Sequence, residues 1–189
     1  MHTNHPERKR ARAQWFYYNS GLFFVTICTK DRKHYFGTVV NGKMQLTEIG
    51  HYADLQLQNA TTHYPYAEIP VWVVMPNHLH AIVTIRRRAV ARRGPTTTPT
   101  NGPSNDGAVK PTDDTGDIRM RSVAAQQGWL SVCIGGIKSA ITRYANLNDI
   151  PFAWQPGFHD HIIRNTDELN RITAYIQNNP KNWESDCFL

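Results

Sequence analysis

The sequence is poor in cysteine, contains no long apolar run and has no excess of acidic charge. Its three cysteines, Cys28, Cys133 and Cys187, are far apart and form no CxxC pair. This pattern indicates neither a zinc knuckle nor a disulfide framework, and it fits a reducing cytosol. No stretch approaches the roughly 18 apolar residues of a membrane span, and the first residues lack the apolar segment of a secretory signal. We therefore expect a cytoplasmic protein with no membrane partner.

Basic residues outnumber acidic residues by 21 to 15, which gives a formal net charge of +6. Many of the arginines and lysines fall in two clusters: Arg8, Lys9, Arg10 and Arg12, then Arg86, Arg87, Arg88, Arg92 and Arg93. Clustered cations hold a phosphate backbone, so nucleic acid is the expected partner. A solvated basic surface, or for the second cluster a solvated linker flank, is the alternative.

The length of 189 residues is enough for one domain with a core, and two domains would be cramped. We predict a single domain over residues 14–188, preceded by a basic arm at 1–13. Residues 94–117 are mostly Thr, Pro, Gly, Asn and Asp, which bury too little apolar surface to offset the entropy of ordering. They are predicted to be a disordered insertion within the domain.

The hydrophobic patterns predict an alternation of strands and helices. A small hairpin with an Asn41-Gly42 turn follows the first strand, and Thr47 can cap the first helix. Asn165 is predicted to cap the last helix, which Pro180 should end. The predicted strands are 22–29, 69–74, 78–85 and 158–165, and the predicted helices are 46–62, 120–147 and 165–179. This order predicts an α+β, ferredoxin-like β-α-β-β-α-β antiparallel sheet, with helices on one face and an additional C-terminal helix.

Two histidines, His78 and His80, stand two positions apart in the third predicted strand. Residues at i and i+2 of a strand share a face, so both imidazoles can bind one metal ion. A third ligand must come from elsewhere in the fold. Tyr175 and Asn179 lie four apart on the last helix and so share one of its faces. Taken alone, Tyr175 could be a half-buried aromatic and Asn179 a helix cap.

Three segments, MPNHLHAIV, WQPGFHDHIIRN and ITAYIQNNPKNW, together resemble the single-tyrosine HUH transposases, and most closely the bacterial REP-associated branch. The resemblance covers most of residues 14–188. It implies that His78, His80 and Asn179 bind a divalent metal, and that Tyr175 is the nucleophile. His161 lies in a matching segment and is an auxiliary candidate. The resemblance also implies a bacterial, nucleoid-associated protein.

The implied chemistry suits these residue types. Tyrosine has a pKa near 10 and is a poor nucleophile near neutrality, so a metal such as Mg²⁺ or Mn²⁺ must polarise the scissile phosphate. Attack leaves a 5′-phosphotyrosine and a free 3′-hydroxyl. The expected substrate is single-stranded or hairpin DNA, held in part by Arg8, Arg10, Arg12, Arg86, Arg87 and Arg88.

Two other functions stay open at this point. The first is a non-catalytic protein that binds DNA hairpins on the same fold. The second is a hydrolase that uses a metal-bound water and does not need Tyr175. The sequence also leaves open whether the protein acts as a monomer or as a homodimer.

Overall fold

A computed structural model describes residues 21–86 and 128–185. The basic arm, the insertion predicted at 94–117, and residues 120–127 of a predicted helix lie outside these ranges. The strands are β1 (Gly21–Cys28), β2 (Gly37–Val40), β3 (Lys43–Leu46), β4 (Ala67–Met75), β5 (His78–Ile85) and β6 (His159–Ile163). The helices are α1 (Glu48–Gln58), α2 (Ala60–His63), α3 (Trp129–Leu147) and α4 (Thr166–Asn178), with 3₁₀ segments at Lys30–Arg32 and Asn179–Ser185.

The main sheet has four strands in the order β4-β5-β1-β6, and all three neighbouring pairs are antiparallel. The hairpin β2-β3 forms a separate two-stranded sheet. Among the strands of the main sheet, the chain order is β1, α1, β4, β5, α3, β6, which is the ferredoxin-like topology. The predicted fold class is therefore confirmed.

Side chains of β5 alternate between the two faces of the sheet. Leu79, Ala81 and Val83 belong to the main core, which also includes buried residues of α1 and α3. On the other face, Ile82 packs in a second apolar cluster with residues of α4. α4 therefore covers the sheet face opposite to α1 and α3. None of the helices in the described ranges is long and apolar enough to cross a membrane.

The first helix is shorter than predicted. Leu46 was assigned to the helix but pairs with Gly37 in the hairpin, so its backbone is extended. Thr47 is the N-cap as expected, and its Oγ1 accepts a hydrogen bond from the Gly50 backbone N–H at 3.3 Å. Asn59 ends α1, and α2 continues as a separate short turn. The predicted hairpin with its Asn41-Gly42 turn is present, but it extends one residue into the range predicted for the helix.

The last helix begins as predicted but does not stop at Pro180. Asn165 Oδ1 accepts a hydrogen bond from the Glu168 N–H at 2.8 Å, which caps α4. After Asn178 the chain continues as the 3₁₀ segment Asn179–Ser185. Proline is tolerated there because the first residues of a helical segment have no intrahelical acceptor for their N–H groups. β4 is longer than its predicted range and β6 is shorter.

The adjacent glycines Gly135 and Gly136 of α3 have different surroundings, so an alanine at each position should affect stability differently. A Cβ built on Gly136 would overlap Tyr64 Oη and lie 2.5 Å from its Cζ, whereas one on Gly135 meets nothing within 4 Å. The group that approaches Gly136 closely is the Tyr64 ring. We expect Gly136→Ala to destabilise the protein by about 1–3 kcal/mol. Gly135→Ala should stabilise it by roughly 0.5–1 kcal/mol through helix propensity, and urea unfolding of both variants distinguishes the two effects.

Candidate metal and tyrosine site

His78 and His80 open β5, directly after the turn at Pro76-Asn77, on the sheet face that α4 covers. Their side chains are 0% and 1% exposed. The ring centroids lie 4.4 Å apart with the planes inclined at 67°. The two imidazoles are therefore adjacent, as their spacing in the strand predicts.

Each imidazole is oriented through its Nδ1 atom. Asn77 Oδ1 lies 2.8 Å from His78 Nδ1, and Thr26 Oγ1 lies 2.9 Å from His80 Nδ1. Because an amide oxygen only accepts hydrogen bonds, His78 Nδ1 carries the proton and its Nε2 keeps a lone pair. Thr26 faces His80 across the β1–β5 pair. This arrangement, with Nδ1 held and Nε2 directed away, is typical of histidines that ligate metals.

Tyr175 projects from α4 toward the histidines. Its Oη lies 3.3 Å from His80 Nε2, and its ring meets the edge of Phe24 at a centroid distance of 6.0 Å. The face of α4 that packs on the sheet is formed by Leu169, Ile172 and Ile176. Tyr175 itself is 40% exposed. The hydroxyl therefore reaches both the histidine pair and an incoming molecule.

Asn179 begins the 3₁₀ segment four residues after Tyr175 and is 2% exposed. Its Oδ1 is buried and, among the residues that the structure describes, has no hydrogen-bond partner. Burying such an acceptor costs free energy unless something binds it. Trp183 of the same segment lies 6.1 Å from His78 between ring centroids. The segment that carries Asn179 therefore packs over the histidines.

The donor set fits a divalent metal. Burial, and then the neighbouring His78, lower the pKa of His80 well below its usual value, so this imidazole is neutral at pH 7. A neutral imidazole is the form that ligates metals. Within 21–86 and 128–185, no group of three His, Cys, Asp or Glu side chains could hold a metal. A site here therefore depends on two histidines and the otherwise unsatisfied amide oxygen of Asn179.

His161 lies on the same face of the sheet as His78 and His80, and it pairs with Phe24 in the register of β1 and β6. Its Nε2 lies 2.6 Å from Glu168 Oε1. The Arg164 backbone N–H donates to the other carboxylate oxygen at 2.8 Å, and this bond, followed by the His161 ring, lowers the pKa of Glu168. In this structure His161 thus helps to anchor the first turn of α4, and its auxiliary catalytic role stays a prediction.

Arg86 lies far from the histidine pair. It follows β5 eight residues after His78, which corresponds to about 26 Å along an extended strand. Its guanidinium pairs with Glu68 Oε2 at 2.9 Å. Arg8, Arg10, Arg12, Arg87 and Arg88 lie outside the described residues. The structure therefore does not bring Arg86 beside the site.

Three residues of the site were not predicted from the sequence: Thr26, Asn77 and Trp183. Asn77 could have been found, because it directly precedes His78 and its amide oxygen can accept a hydrogen bond from an imidazole. Thr26 and Trp183 could not have been found from the sequence. The position of Thr26 beside His80 depends on the strand register, and that of Trp183 beside His78 depends on the docking of the 3₁₀ segment.

No family model matches the chain. An uncharacterized protein of Haemophilus influenzae is 31% identical over 187 residues, which cover 96% of this chain and 92% of the relative. At this identity and coverage the two proteins belong to one family.

Two solved structures are also similar. One is a REP-associated tyrosine transposase bound to a REP hairpin, with a TM-score of 0.54 and 21% identity, covering 92% of this chain and 74% of the other. The other is a putative transposase of Deinococcus radiodurans, with 15% identity over 90% of this chain and 96% of the other. Its TM-score of 0.37 is too low to support an inference. The first likeness establishes a shared fold.

Proposed function

We infer that this chain, which has the fold of a REP-associated tyrosine transposase and belongs to one family with the Haemophilus influenzae protein, is a DNA transposase of the single-tyrosine HUH type. The observation that carries this proposal is the distance of 3.3 Å between Tyr175 Oη and His80 Nε2. It joins two residues that are 95 positions apart in the sequence. The solved transposase was bound to a REP hairpin, and we extend a DNA hairpin partner to this chain.

His78, His80 and Asn179 are the residues that would hold the metal, through two Nε2 atoms and Oδ1. When bound, Mg²⁺ or Mn²⁺ polarises a phosphate oxygen and stabilises the charge that develops on it. Asn77 and Thr26 keep the imidazoles oriented. If His80 held the metal through Nε2, its lone pair would no longer be available to Tyr175 Oη, and the hydroxyl would be free to approach a phosphate.

The proposed reaction is a transfer of one phosphodiester. Tyr175 Oη forms a bond to phosphorus and loses its proton to solvent, while the bond from phosphorus to the 3′-oxygen breaks. The leaving oxygen takes a proton from solvent and becomes a free 3′-hydroxyl. Because the new phosphotyrosine is itself a diester, a 3′-hydroxyl can attack it and rejoin the strand. The 40% exposure of Tyr175 leaves room for the DNA strand at its hydroxyl.

The test is a cleavage assay on single-stranded and hairpin DNA, followed by denaturing electrophoresis. We expect a covalent protein–DNA adduct that requires Mn²⁺ or Mg²⁺ and disappears with a chelator. Hairpin binding without any adduct would instead support the non-catalytic DNA-binding alternative. Cleavage without an adduct would support the hydrolase with a metal-bound water.

Thr26 provides a separate test of how the metal histidines are held. Thr26→Val has nearly the same shape but removes the oxygen beside His80 Nδ1. We expect Mn²⁺ affinity, measured by calorimetry, to fall roughly 10–100-fold, as it does when the outer partner of a ligand histidine is lost. Thr26→Ser retains the hydroxyl and should keep most of the affinity. Equal affinities of Thr26→Val and the wild type would contradict this role.

A further inference from the structure

A loop rich in basic residues follows β1 and lies at the same end of the sheet as the metal histidines. We call residues 29–34 the basic loop, since Lys30, Arg32 and Lys33 outnumber the one carboxylate of Asp31. Thr29 donates from both its N–H and its Oγ1 to the Asn77 backbone oxygen, each at 2.9 Å. The loop is therefore bonded directly to the turn that positions His78.

The backbone of the basic loop is held by several hydrogen bonds, and Thr29 is the buried residue among 29–34. Thr29 Oγ1 also lies 2.8 Å from Lys33 O, so its one proton is shared between this oxygen and Asn77 O, and Lys33 N–H donates to Lys30 O at 3.2 Å. Asp31 and Arg32 both have φ of 53°, in the left-handed region. That region is unfavourable for arginine and often marks a functional segment. None of residues 30–32 is buried, and the Lys30 N–H donates to the Ala153 backbone oxygen at 2.9 Å.

A second contact connects the loop to the site. The centroid of the His34 ring lies 5.7 Å from that of Trp183, and the Trp183 centroid lies 6.1 Å from that of His78. The basic loop thus adjoins the 3₁₀ segment that carries Asn179. Its exposed lysines, Lys30 and Lys33, stand next to the site and not at the distant end of β5 where Arg86 lies.

We propose that the basic loop binds backbone phosphates of the single DNA strand next to the scissile phosphate. This inference rests on the proposed function, because it takes the phosphate attacked by Tyr175 as its reference point. An excess of two positive charges within four residues suits the diester backbone of DNA and gives no base specificity. The strand beside Tyr175 is taken as single, in keeping with the proposed single-stranded or hairpin substrate.

The test compares Lys30→Ala/Lys33→Ala with Arg143→Ala/Arg164→Ala. Both double variants remove two positive charges. The bonds that hold the loop are made by backbone atoms of Lys30 and Lys33, so they persist in the first variant. Arg143 lies in α3 on the opposite sheet face, and Arg164 lies just after Ile163, which pairs with Leu22 at the end of β1 far from His78. The probes are a thymidine oligonucleotide and a blunt hairpin, with affinity followed by fluorescence anisotropy as salt is raised.

We expect Lys30→Ala/Lys33→Ala to weaken oligonucleotide binding and to lower the slope of log K against log salt by about 1.4, since each single-strand phosphate contact contributes about 0.7. The arginine control should keep the wild-type slope. Equal losses of oligonucleotide affinity in the two double variants would overturn the proposal. So would a loss of affinity for the hairpin alone, or a wild-type protein that does not bind the oligonucleotide. The adduct assay with wild type reports separately on the proposed function.

Discussion

Tyr175→Phe should abolish the covalent protein–DNA adduct and leave DNA binding nearly unchanged. The substitution removes only the hydroxyl whose oxygen lies 3.3 Å from His80 Nε2. The ring keeps its edge contact with Phe24. Because the residue is 40% exposed, the free energy of unfolding should change by no more than about 0.5 kcal/mol. Denaturing electrophoresis measures the adduct, and anisotropy measures the binding.

Tyr144→Phe is the matched control. This substitution also removes only a hydroxyl. In the wild type the Tyr144 hydroxyl donates to Glu48, and it lies between α1 and α3 on the opposite face of the sheet. The variant should form the adduct at the wild-type rate. An adduct that persists in Tyr175→Phe would exclude Tyr175 as the nucleophile, whatever Tyr144→Phe does.

Asn179→Leu should have opposite effects on metal affinity and on stability. Leucine is similar in size but removes Oδ1, which is buried without a hydrogen-bond partner in the described part of the chain. Losing one of three protein ligands should lower Mn²⁺ affinity by more than the 10–100-fold typical of an outer-sphere partner. Without metal, removing an unsatisfied buried acceptor should stabilise the fold by about 1 kcal/mol. Calorimetry measures the first effect, and urea unfolding with a chelator measures the second.

Asn178→Leu is the neighbouring control, because the Asn178 side chain is exposed and donates to the Ala174 carbonyl within α4. It should keep the wild-type affinity for Mn²⁺. If Asn179→Leu instead destabilised the metal-free protein and bound Mn²⁺ normally, Asn179 would be a structural residue and the metal would need another ligand.

The variants Tyr175→Phe and Asn179→Leu distinguish the role of the nucleophile from the role of the metal ligand. Tyr175→Phe should bind the metal but form no adduct, because its ligands are intact. Asn179→Leu should regain part of its adduct formation at high Mn²⁺ concentration, because its nucleophile is intact. If Asn179→Leu formed no adduct at any Mn²⁺ concentration, Asn179 would have a role in the chemical step besides binding the metal.

Much of the fold could be predicted from local pattern. The strand His78–Ile85 was predicted with its observed bounds, and the Asn165 cap of α4 was found in its predicted place. Errors occurred where long-range pairing overrides local preference. Leu46 pairs with Gly37 instead of joining a helix. The chain remains helical beyond Pro180, in a 3₁₀ segment whose Trp183 is buried.

The sequence by itself determined that His78 and His80 share a face, because the period of a strand is two residues. It likewise placed Tyr175 and Asn179 on one face of a helix. Only the tertiary structure decided that these two faces meet, since α4 docks on the side of the sheet opposite to α1 and α3. It also decided that Thr26 supports His80 and that the basic loop adjoins the site while Arg86 does not. These relations depend on strand register and on packing between elements distant in the chain, which a local pattern cannot encode.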